Sequence, residues 1–367
     1  MKKSFLIITL ICIFTNIYLV SSEENPLYLN FQKEIYTYKN MAVIPIIASK
    51  DFIQGNGELK KFVSLKSALE NDYIIISERS IELQGPGFPN VEPLEQPEPS
   101  HEQEAITDTV SNVLTGAEID ALLIQVQGGR SDVNNLLISN KSDKYIYLMA
   151  GDLVKGGKQD RVIAKDIIVP PNTEKMNLPV FCVEQNRWRY KGENQNFGKY
   201  SNVVSNTVRS AVQVEQEQSA VWSKVSAVQS SYGIESETGA YSDVETSEEY
   251  NNQRDDYIKY FSDKATNNKE MVGMIVVAGD SIIGCDIFAN HELLTMQYNS
   301  LLYAYITDVI SINVVKTSQN DKYIDKDKIT KFFNQARTEF LAPQKQDVKQ
   351  EIRFFYNERV VHYTKFE

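Results

Sequence analysis

The sequence predicts an α+β fold, in which an antiparallel β core (a sheet or a sandwich-like pair) is followed by long helices and by a C-terminal helix plus hairpin. Three observations predict this class. Short apolar or alternating runs joined by turn residues dominate residues 35–183. Long stretches with helical spacing begin only at residue 202. No strand–helix–strand spacing typical of parallel sheets occurs.

The first part of the chain contains three predicted strands and one short helix. The strands cover residues 35–38, 43–47 and 73–77, and the helix covers residues 64–70. Pro45 donates no ladder hydrogen bond, which places its strand near a sheet edge. Ser64 is a preferred N-cap residue, so the helix begins there. A Pro- and Glu-rich stretch at about residues 84–127 then predicts an exposed loop, either a flexible surface segment or a partner-binding one.

The β core and the helical half follow. Further strands are predicted at residues 134–140, 145–150, 161–169, 178–183, 271–278 and 281–288. The last two form a hairpin around Gly279 and Asp280. Helices are predicted at residues 202–230, from about Tyr250, at 294–309 and at 326–340, and residues 352–356 with 360–363 form a closing hairpin.

The N-terminus has the three parts of a secretory signal: Lys2 and Lys3, an apolar run from residue 5 to residue 20, and a small-residue end. The sequence therefore predicts a signal peptide at residues 1–22 and a mature protein that is secreted or periplasmic, without stable membrane insertion. A membrane anchor is the alternative. The run is short for a full span, however, and polar residues interrupt it.

The charge balance is acidic. The full chain has a formal net charge of -11, and removing Lys2 and Lys3 with the signal leaves -13. The negative electrostatic potential of such a chain disfavours a nucleic-acid partner. Any anionic ligand therefore has to be held by a local arginine cluster. Cys182 and Cys285 are the two cysteines of the mature chain, enough for one disulfide in an oxidising compartment. Whether they are close in space is not readable from sequence.

Two clusters of charged and amide side chains, at residues 151–161 and 182–190, dominate the middle of the chain. They are separated by roughly one antiparallel excursion of predicted strands. Because a chain that goes out and returns brings its ends together, we expect the two clusters to converge at one end of the β core. The sequence therefore predicts a site at that end.

Residues 156–161, 167–171 and 182–188 together resemble the core pattern of the ADP-ribosylglycohydrolase and rhodanese-phosphatase associated protein domain. The resemblance extends, with gaps, from about Tyr38 to about Ile312, and it implies a fold and a site more than a chemistry. It divides the chain into three parts. These are the signal at residues 1–22, a family-like domain at 23–312 with an insertion at about 84–127, and a C-terminal extension at 313–367.

The glycine turn of the first cluster presents Lys158, Gln159 and Arg161, which can hydrogen-bond a carboxylate, a phosphate or a sugar. It is not a nucleotide triphosphate loop. That motif needs a glycine where Asp152 stands and a hydroxyl residue where Gln159 stands. The alternative is a β-turn whose side chains pair with one another.

The second cluster contributes Glu184, Gln185, Arg187 and Trp188. In an extended segment, Arg187 and Arg189 share one side, and Trp188 and Tyr190 share the other. An aromatic ring with guanidinium groups suits a nucleotide or a glycan. The alternative is that Trp188 anchors the core while a carboxylate holds the arginines.

Enzymatic chemistry has less support in the sequence. The family's associations suggest a hydrolase acting on a nucleotide or ADP-ribose-like group, with Asp152, Asp160 or Glu184 as acid or base. Cys285 and His291 are a candidate thiol–imidazole pair, but an apolar strand before a helix more often buries such a cysteine. No metal-ligand spacing occurs, and no cofactor is predicted.

We therefore expect a ligand-binding or interaction module for a compact anionic or sugar-bearing, nucleotide-like ligand; protein partners are not predicted. A hydrolase and a structural envelope protein are the alternatives. If Arg161 and Arg187 touch the ligand, replacing either with alanine weakens binding and hardly changes stability. If they instead brace the β core, the same replacements lower the melting temperature.

Overall fold

The computed structural model describes residues 25–32, 35–57, 59, 61–79, 134–187, 196–312, 324–344 and 352–367. The predicted signal at residues 1–22, the predicted insertion at about 84–127 and Trp188 lie outside the described residues. In the described part, helices pack on three sheets whose pairings are almost all antiparallel. This confirms the predicted α+β class.

The elements of the described part are numbered in chain order. The strands are β1 (Leu27–Leu29), β2 (Tyr36–Tyr38), β3 (Met41–Ala48), β4 (Phe62–Ser64), β5 (Ile74–Glu78), β6 (Asn135–Asn140), β7 (Tyr145–Leu148), β8 (Asp152–Gly156), β9 (Arg161–Ile163), β10 (Ile167–Val169), β11 (Thr173–Cys182), β12 (Phe197–Val203), β13 (Met271–Ala278), β14 (Ser281–Phe288), β15 (Arg353–Tyr356) and β16 (Arg359–Phe366). The α-helices are α1 (Lys50–Gly55), α2 (Leu65–Glu70), α3 (Asn206–Ser210), α4 (Gln218–Ser231), α5 (Glu248–Phe261), α6 (Lys264–Asn267), α7 (His291–Ser311) and α8 (Lys326–Leu341).

The largest sheet has seven strands in the order β1-β3-β13-β14-β16-β15, with β2 pairing with β3 beside β1. β13 and β14 form the predicted hairpin, and the predicted C-terminal hairpin joins the same sheet through pairing of β16 with β14. Pro45 lies in β3 between the residues that pair with β1 and those that pair with β2. Its missing N–H therefore interrupts no ladder on that side.

Helices cover both faces of this sheet. The predicted apolar face of α7 is entirely buried, namely Leu294, Tyr298, Leu301, Tyr305 and Val309. α8 buries its own apolar face in a second cluster on the opposite side of the sheet. Among the helices of the described residues, none is long and apolar enough to cross a membrane.

A six-stranded sheet, β12-β8-β9-β11-β6-β5, and a three-stranded sheet, β10-β7-β4, share a third hydrophobic cluster. β4 pairs with β7 in parallel, which is the exception to the antiparallel pattern in the described part. Tyr147, in β7, and Met149, just after it, contribute instead to the cluster beneath α7. β7 therefore joins this part of the molecule to the seven-stranded sheet.

One predicted helix differs from the structure. In place of a single helix over residues 202–230, the chain forms the end of β12, then α3, a π-helical turn at Ala211–Glu215, and α4. Gln216 has a left-handed backbone, with φ of 55°, which separates the turn from α4. The sequence hides this break because the valines on both sides of it pack into one hydrophobic cluster.

Candidate functional site

The two charged segments meet because β9 and β11 are antiparallel neighbours. Arg161 pairs with Cys182 in this ladder, so the residues before one and after the other lie at the same end of the sheet. Glu78, the last residue of β5, joins them. We call the group formed there the glycine-turn cluster: Glu78, Gln159, Asp160, Arg161, Glu184 and Arg187.

The turn that carries the first segment requires Gly157. Its φ is +50°, and a Cβ atom there would lie 2.4 Å from Phe197 Cζ and 2.7 Å from Glu78 Oε1. Glycine avoids both the strained backbone and these contacts. The backbone N–H of Lys158 then donates to Glu78 Oε1 at 3.0 Å. The turn is thus packed against β5 and β12.

Arg187 is 5% exposed and is held by the protein's own groups. Its Nη2 lies 2.7 Å from Glu184 Oε2 and 3.4 Å from Asp160 Oδ1, and its Nη1 donates to Gly157 O at 3.0 Å. Glu184 Oε2 also accepts from Asp160 N at 3.1 Å. Asp160 Oδ2 accepts from Ser242 Oγ at 3.1 Å. The guanidinium and the two carboxylates form a closed network.

Arg161 is fully buried. Its Nη1 donates to Gln159 O at 2.8 Å, and its Nη2 lies 3.7 Å from Glu78 Oε1. Gln159 is also buried and donates from Nε2 to Glu184 O at 2.6 Å. In this arrangement a ligand that approaches from solvent does not reach the guanidinium.

The other predicted site residues lie at the rim of this cluster or outside the described residues. Lys158 is half-buried and Gln185 is exposed. The carbonyl oxygen of Gln185 accepts from Gln159 Nε2 at 3.3 Å. Trp188 belongs to the part of the chain that is not described. Ligand contact by any of the seven residues stays a prediction.

The carboxylates suggested as acid or base are Asp152, Asp160 and Glu184, and each is at most 1% exposed. Asp152 accepts from Met149 N at 2.7 Å and from Tyr200 OH at 3.0 Å. Burial raises the pKa of Asp152 to about 7. A proton can therefore reside on it near neutral pH, but the carboxyl group has no open route to a substrate.

Both described cysteines, Cys182 and Cys285, are buried, and neither forms a disulfide. Burial raises the pKa of Cys285 well above its usual range, and this residue packs in the cluster beneath α8. His291 begins α7, which lies on the opposite face of the sheet. The candidate thiol–imidazole pair is not assembled.

A second ionic network, which the sequence interpretation missed, lies on the α7 face of the seven-stranded sheet. His362, on β16, places Nδ1 2.6 Å from Asp166 Oδ2 and Nε2 3.0 Å from Asp286 Oδ1. The carboxylate of Asp286, on β14, accepts hydrogen bonds from both Nη atoms of Arg209, on α3, at 2.7 and 3.2 Å. We call these four residues the histidine cluster.

Two tyrosine hydroxyls and the mutual charges fix the protonation of this cluster. Tyr147 donates to Asp166 Oδ2 and Tyr305 donates to Asp286 Oδ2, both at 2.6 Å. Burial lowers the pKa of His362, but the carboxylates of Asp166 and Asp286 outweigh burial and raise it to about 9. Burial opposes ionisation of Asp166, yet the imidazolium beside it brings its pKa below the ordinary value. At neutral pH the cluster holds two carboxylates, one guanidinium and one imidazolium.

Asp166 connects the histidine cluster to an open cleft of about 670 Å³. The cleft lies between the segment at residues 164–170, β11, the π-helical turn and β15. Its walls combine aromatic rings, including Phe354 and Tyr356, with amides and the Asp166 carboxylate. Pockets of this size and mixed character typically hold small molecules.

Gln213, in the π-helical turn, lines this cleft and is 8% exposed. Among the described residues, its Nε2 has no hydrogen-bond partner. A buried donor without an acceptor costs about 1–3 kcal/mol. π-helical turns are rare and occur frequently at functional sites. The turn therefore holds an enclosed, unsatisfied donor in a residue that lines the cleft.

Other parts of the described surface are less suitable as sites. A depression of about 620 Å³ lies on the polar side of α8, but only this helix lines it, so no second wall encloses a ligand. Within the described residues, no group of three or more His, Cys, Asp or Glu side chains is arranged to hold a metal ion.

The histidine cluster had one signal in the sequence. Asp286 is a charge inside the apolar run of residues 281–288, and a charge buried in a strand needs a partner. Its partners are not readable from sequence, because His362 and Arg209 are 76 and 77 positions away. No sequence pattern indicated the unsatisfied amide of Gln213, because residues 202–230 have the spacing of an ordinary helix.

Comparisons with known proteins identify the family and nothing closer. No curated protein and no solved structure gave a significant match. The pattern of the ARG and Rhodanese-Phosphatase-superfamily-associated Protein domain matches residues 31–365, a range that includes both clusters, the cleft and the C-terminal hairpin. The chain therefore belongs to the ARG and Rhodanese-Phosphatase-superfamily-associated Protein domain family.

Proposed function

We propose that this protein is a ligand-binding module and that a compact, sugar-bearing ligand binds in the cleft beside Asp166. The cleft volume of about 670 Å³ is within the range of about 300–1,000 Å³ that is usual for small-molecule sites. Aromatic walls with a few polar groups suit a ligand that has both apolar faces and hydroxyl groups.

The observation that carries this proposal is the amide of Gln213. Protein groups satisfy most buried donors in folded proteins, and the exceptions call for an explanation. Nε2 is itself enclosed, so a ligand oxygen would accept from it once the side chain turns toward the cleft that Gln213 lines, and this bond would remove the cost of its burial. The amide is thus better suited to a bound state than to an empty cleft.

The glycine-turn cluster supports the anionic version of this function less well. Arg187 is paired with Glu184 and Asp160. Arg161 also has donors without an acceptor among the described residues, Nε and Nη2, but its side chain is sealed from solvent and lines none of the clefts described above. An anion would have to displace protein carboxylates from a buried network. The hydrolase alternative is supported less well for the same reason, since Asp152 and both of these carboxylates are buried.

The test replaces Gln213 with leucine. We expect Gln213→Leu to bind the ligand at least 10-fold more weakly and to be as stable as the parent or more stable, because an unsatisfied donor is removed. Binding is measured by calorimetry against a panel of sugars, nucleotides, ADP-ribose and inorganic phosphate, and stability is measured by thermal melts.

A matched control is Gln229→Leu. Gln229 is 7% exposed, but its Nε2 donates to Ala240 O at 2.7 Å, so this change should lower stability and leave binding intact. If no compound in the panel binds the parent, or if Gln213→Leu binds as well as the parent, the proposed site is wrong.

We also propose that the protein is exported, because residues 1–22 have the composition of a cleaved signal. Mass spectrometry of the protein purified from its native cell should show an N-terminus near Glu23. An intact Met1 on membrane-bound protein would contradict export by cleavage.

A further inference from the structure

The carboxylate of Asp166 is held rigidly at the wall of the cleft. Its side chain is only 8% exposed and still lines the opening. Oδ1 accepts from Ala150 N at 2.7 Å, while Oδ2 accepts from Tyr147 OH and faces His362 Nδ1, both at 2.6 Å. These donors come from β7 with the turn after it and from β16, so the carboxylate cannot turn without losing at least one of them.

These contacts leave Asp166 with a limited number of free acceptor sites for further hydrogen bonds. A carboxylate has about four lone-pair sites. Two donors lie on Oδ2 and one lies on Oδ1, so one acceptor site remains on Oδ1. Gln213, which lines the same cleft, has the opposite hydrogen-bonding role: its Nε2 is a donor with no acceptor among the described residues. The cleft therefore matches a ligand that both donates and accepts.

We infer that the ligand is an uncharged sugar ring, with one hydroxyl donating to Asp166 Oδ1 and a second hydroxyl or the ring oxygen accepting from Gln213 Nε2. This inference rests on the proposed function and narrows its ligand class. A hydroxyl is the common group that serves as donor and acceptor at once. The aromatic side chains of β15 supply an apolar wall for the C–H face of a sugar.

The fixed carboxylate of Asp166 disfavours an anion beside it, although the lining of the cleft also includes the exposed Lys165. Asp166 is ionised at neutral pH, since the His362 imidazolium outweighs burial and lowers the pKa of this carboxyl. The guanidinium of Arg353, which also lines the cleft, donates to Glu339 O at 3.0 Å and to Pro343 O at 3.3 Å at the end of α8. A phosphate beside Asp166 would thus meet a fixed carboxylate and an arginine that is already engaged, and Lys165 is the other cation that the lining would offer it.

His362 acts on the ligand through Asp166 and is therefore a positioning residue. It does not line the cleft, but it holds Asp166 on one side and Asp286 on the other. Asp286 in turn fixes Arg209 on α3, which runs directly into the π-helical turn that carries Gln213. The two groups that we assign to the ligand are thus tied to one buried network.

The experiment is calorimetry on the full mature chain with five neutral sugars (glucose, galactose, mannose, N-acetylglucosamine and ribose), with deoxy analogues of any that bind, and with inorganic phosphate and sugar phosphates. We expect a neutral sugar to bind, and one deoxy analogue to bind about 10- to 100-fold more weakly, the loss of one charge-assisted hydrogen bond. Asp166→Asn should weaken binding of the parent sugar to a similar extent. Asp256→Asn, at an exposed aspartate paired with Lys39, should leave it unchanged.

Each outcome decides a separate point. If phosphate or sugar phosphates bind and neutral sugars do not, the neutral-sugar inference is overturned while the ligand-binding function stands. If a sugar binds but neither the deoxy series nor Asp166→Asn weakens binding, the assignment of Asp166 is wrong. If nothing binds, both proposals fail. The deoxy series uses the parent protein, so it tests the hydrogen bond of a sugar hydroxyl to Asp166 even if Asp166→Asn does not fold.

Discussion

The glycine-turn cluster and the histidine cluster are both buried ionic networks, but they differ in how they are built and in what they border. The first comes mainly from two short segments of the chain and is closed on itself, with Arg161 fully buried and Arg187 5% exposed. The second joins four residues from separate elements, and one of them, Asp166, lines an open cleft. The conspicuous charged motif is buried in the fold, whereas the cleft is found only by following the long-range contacts.

The two clusters also differ in their connection to a binding surface. In the glycine-turn cluster, the carboxylates of Asp160 and Glu184 are used by Arg187 and by backbone donors. In the histidine cluster, the charges balance within the protein, yet one acceptor site of Asp166 is left over at the cleft. Neither network is fully satisfied, since Arg161 Nε and Nη2 in the first and Arg209 Nε in the second have no hydrogen-bond acceptor among the described residues. The difference is that the spare acceptor site of the second belongs to a residue that lines an open cleft.

The largest expected effect comes from removing a buried guanidinium from either cluster. Arg187→Met and Arg209→Met each leave buried carboxylates without their partner, and we expect each to lose about 3–5 kcal/mol of unfolding free energy. Urea unfolding measures this loss. Only Arg209→Met should also weaken sugar binding, because it belongs to the network that holds Asp166 and the π-helical turn.

The control for these variants is Lys199→Met, an exposed residue of β12, which should change stability by no more than about 0.5 kcal/mol. If Arg187→Met keeps the parent's stability and loses ligand binding, then the predicted ligand contact by the glycine-turn cluster is right and the framework interpretation is wrong.

A smaller effect is expected at high pH, and it comes from His362 of the histidine cluster. The folded-state pKa of His362 is about 9, above the ordinary value of about 6.5. Its contribution is therefore fully present below about pH 6.5 and is lost as pH rises through 9, for a total on the order of 3 kcal/mol. Unfolding free energies of parent and His362→Gln, measured from pH 6 to pH 10, should converge at the alkaline end.

The matched histidine variant is His291→Gln, whose ring contacts Met271 O and no carboxylate in the described residues. It should keep the parent's alkaline decline in stability. A decline of the same size in His362→Gln would mean that other groups cause it and that His362 is not held protonated.

The next effect tests the packing of the glycine turn. In Gly157→Ala, the new methyl group meets Phe197 and Glu78 in addition to the left-handed backbone strain. Gly233→Ala is the control, because Gly233 also has positive φ, at 63°, but nothing within 4 Å of the added atom. We expect Gly157→Ala to lose about 1–3 kcal/mol more than the control. Equal losses in urea unfolding would mean that the turn is not packed as described.

The smallest expected signal is the reactivity of the thiols. Cys182 and Cys285 are buried thiols outside any disulfide, and burial raises the pKa of both, so neither should react with a thiol reagent until the protein unfolds. Mass spectrometry after timed alkylation of the native protein measures this. Rapid labelling of either cysteine would show a solvent path to its thiol that the structure does not contain.

The sequence predicted the elements whose signals are local. The β13–β14 hairpin follows from two apolar runs around Gly279 and Asp280, and α7 follows from five apolar residues at helical spacing. The split of the predicted helix at residues 202–230 was not readable, because buried valines continue across the left-handed residue Gln216. Periodicity reports which face is buried and does not report a break between two helices that share that face.

The candidate site was predicted in part for the same reason. The convergence of residues 156–161 with residues 182–187 follows from strand order, but their burial depends on Glu78, which lies 80 positions before Lys158. His362 and Asp166 are 196 positions apart in the sequence, so no local pattern predicts their contact. Long-range pairing decides which charged residues face solvent, and one sequence does not contain that information in local form.

The central claim is that ligand binds at the cleft and not at the glycine turn, and isoleucine methyl NMR tests it directly. Ile167, Ile168 and Ile352 line the cleft, whereas Ile76 and Ile163 are two positions along β5 and β9 from Glu78 and Arg161 of the glycine-turn cluster. On titration of the methyl-labelled protein with the neutral sugar that binds, we expect the three cleft methyl signals to shift and the other two to stay in place. Shifts at Ile76 and Ile163 without shifts at the cleft would contradict the account and return the site to the arginines that the sequence first indicated.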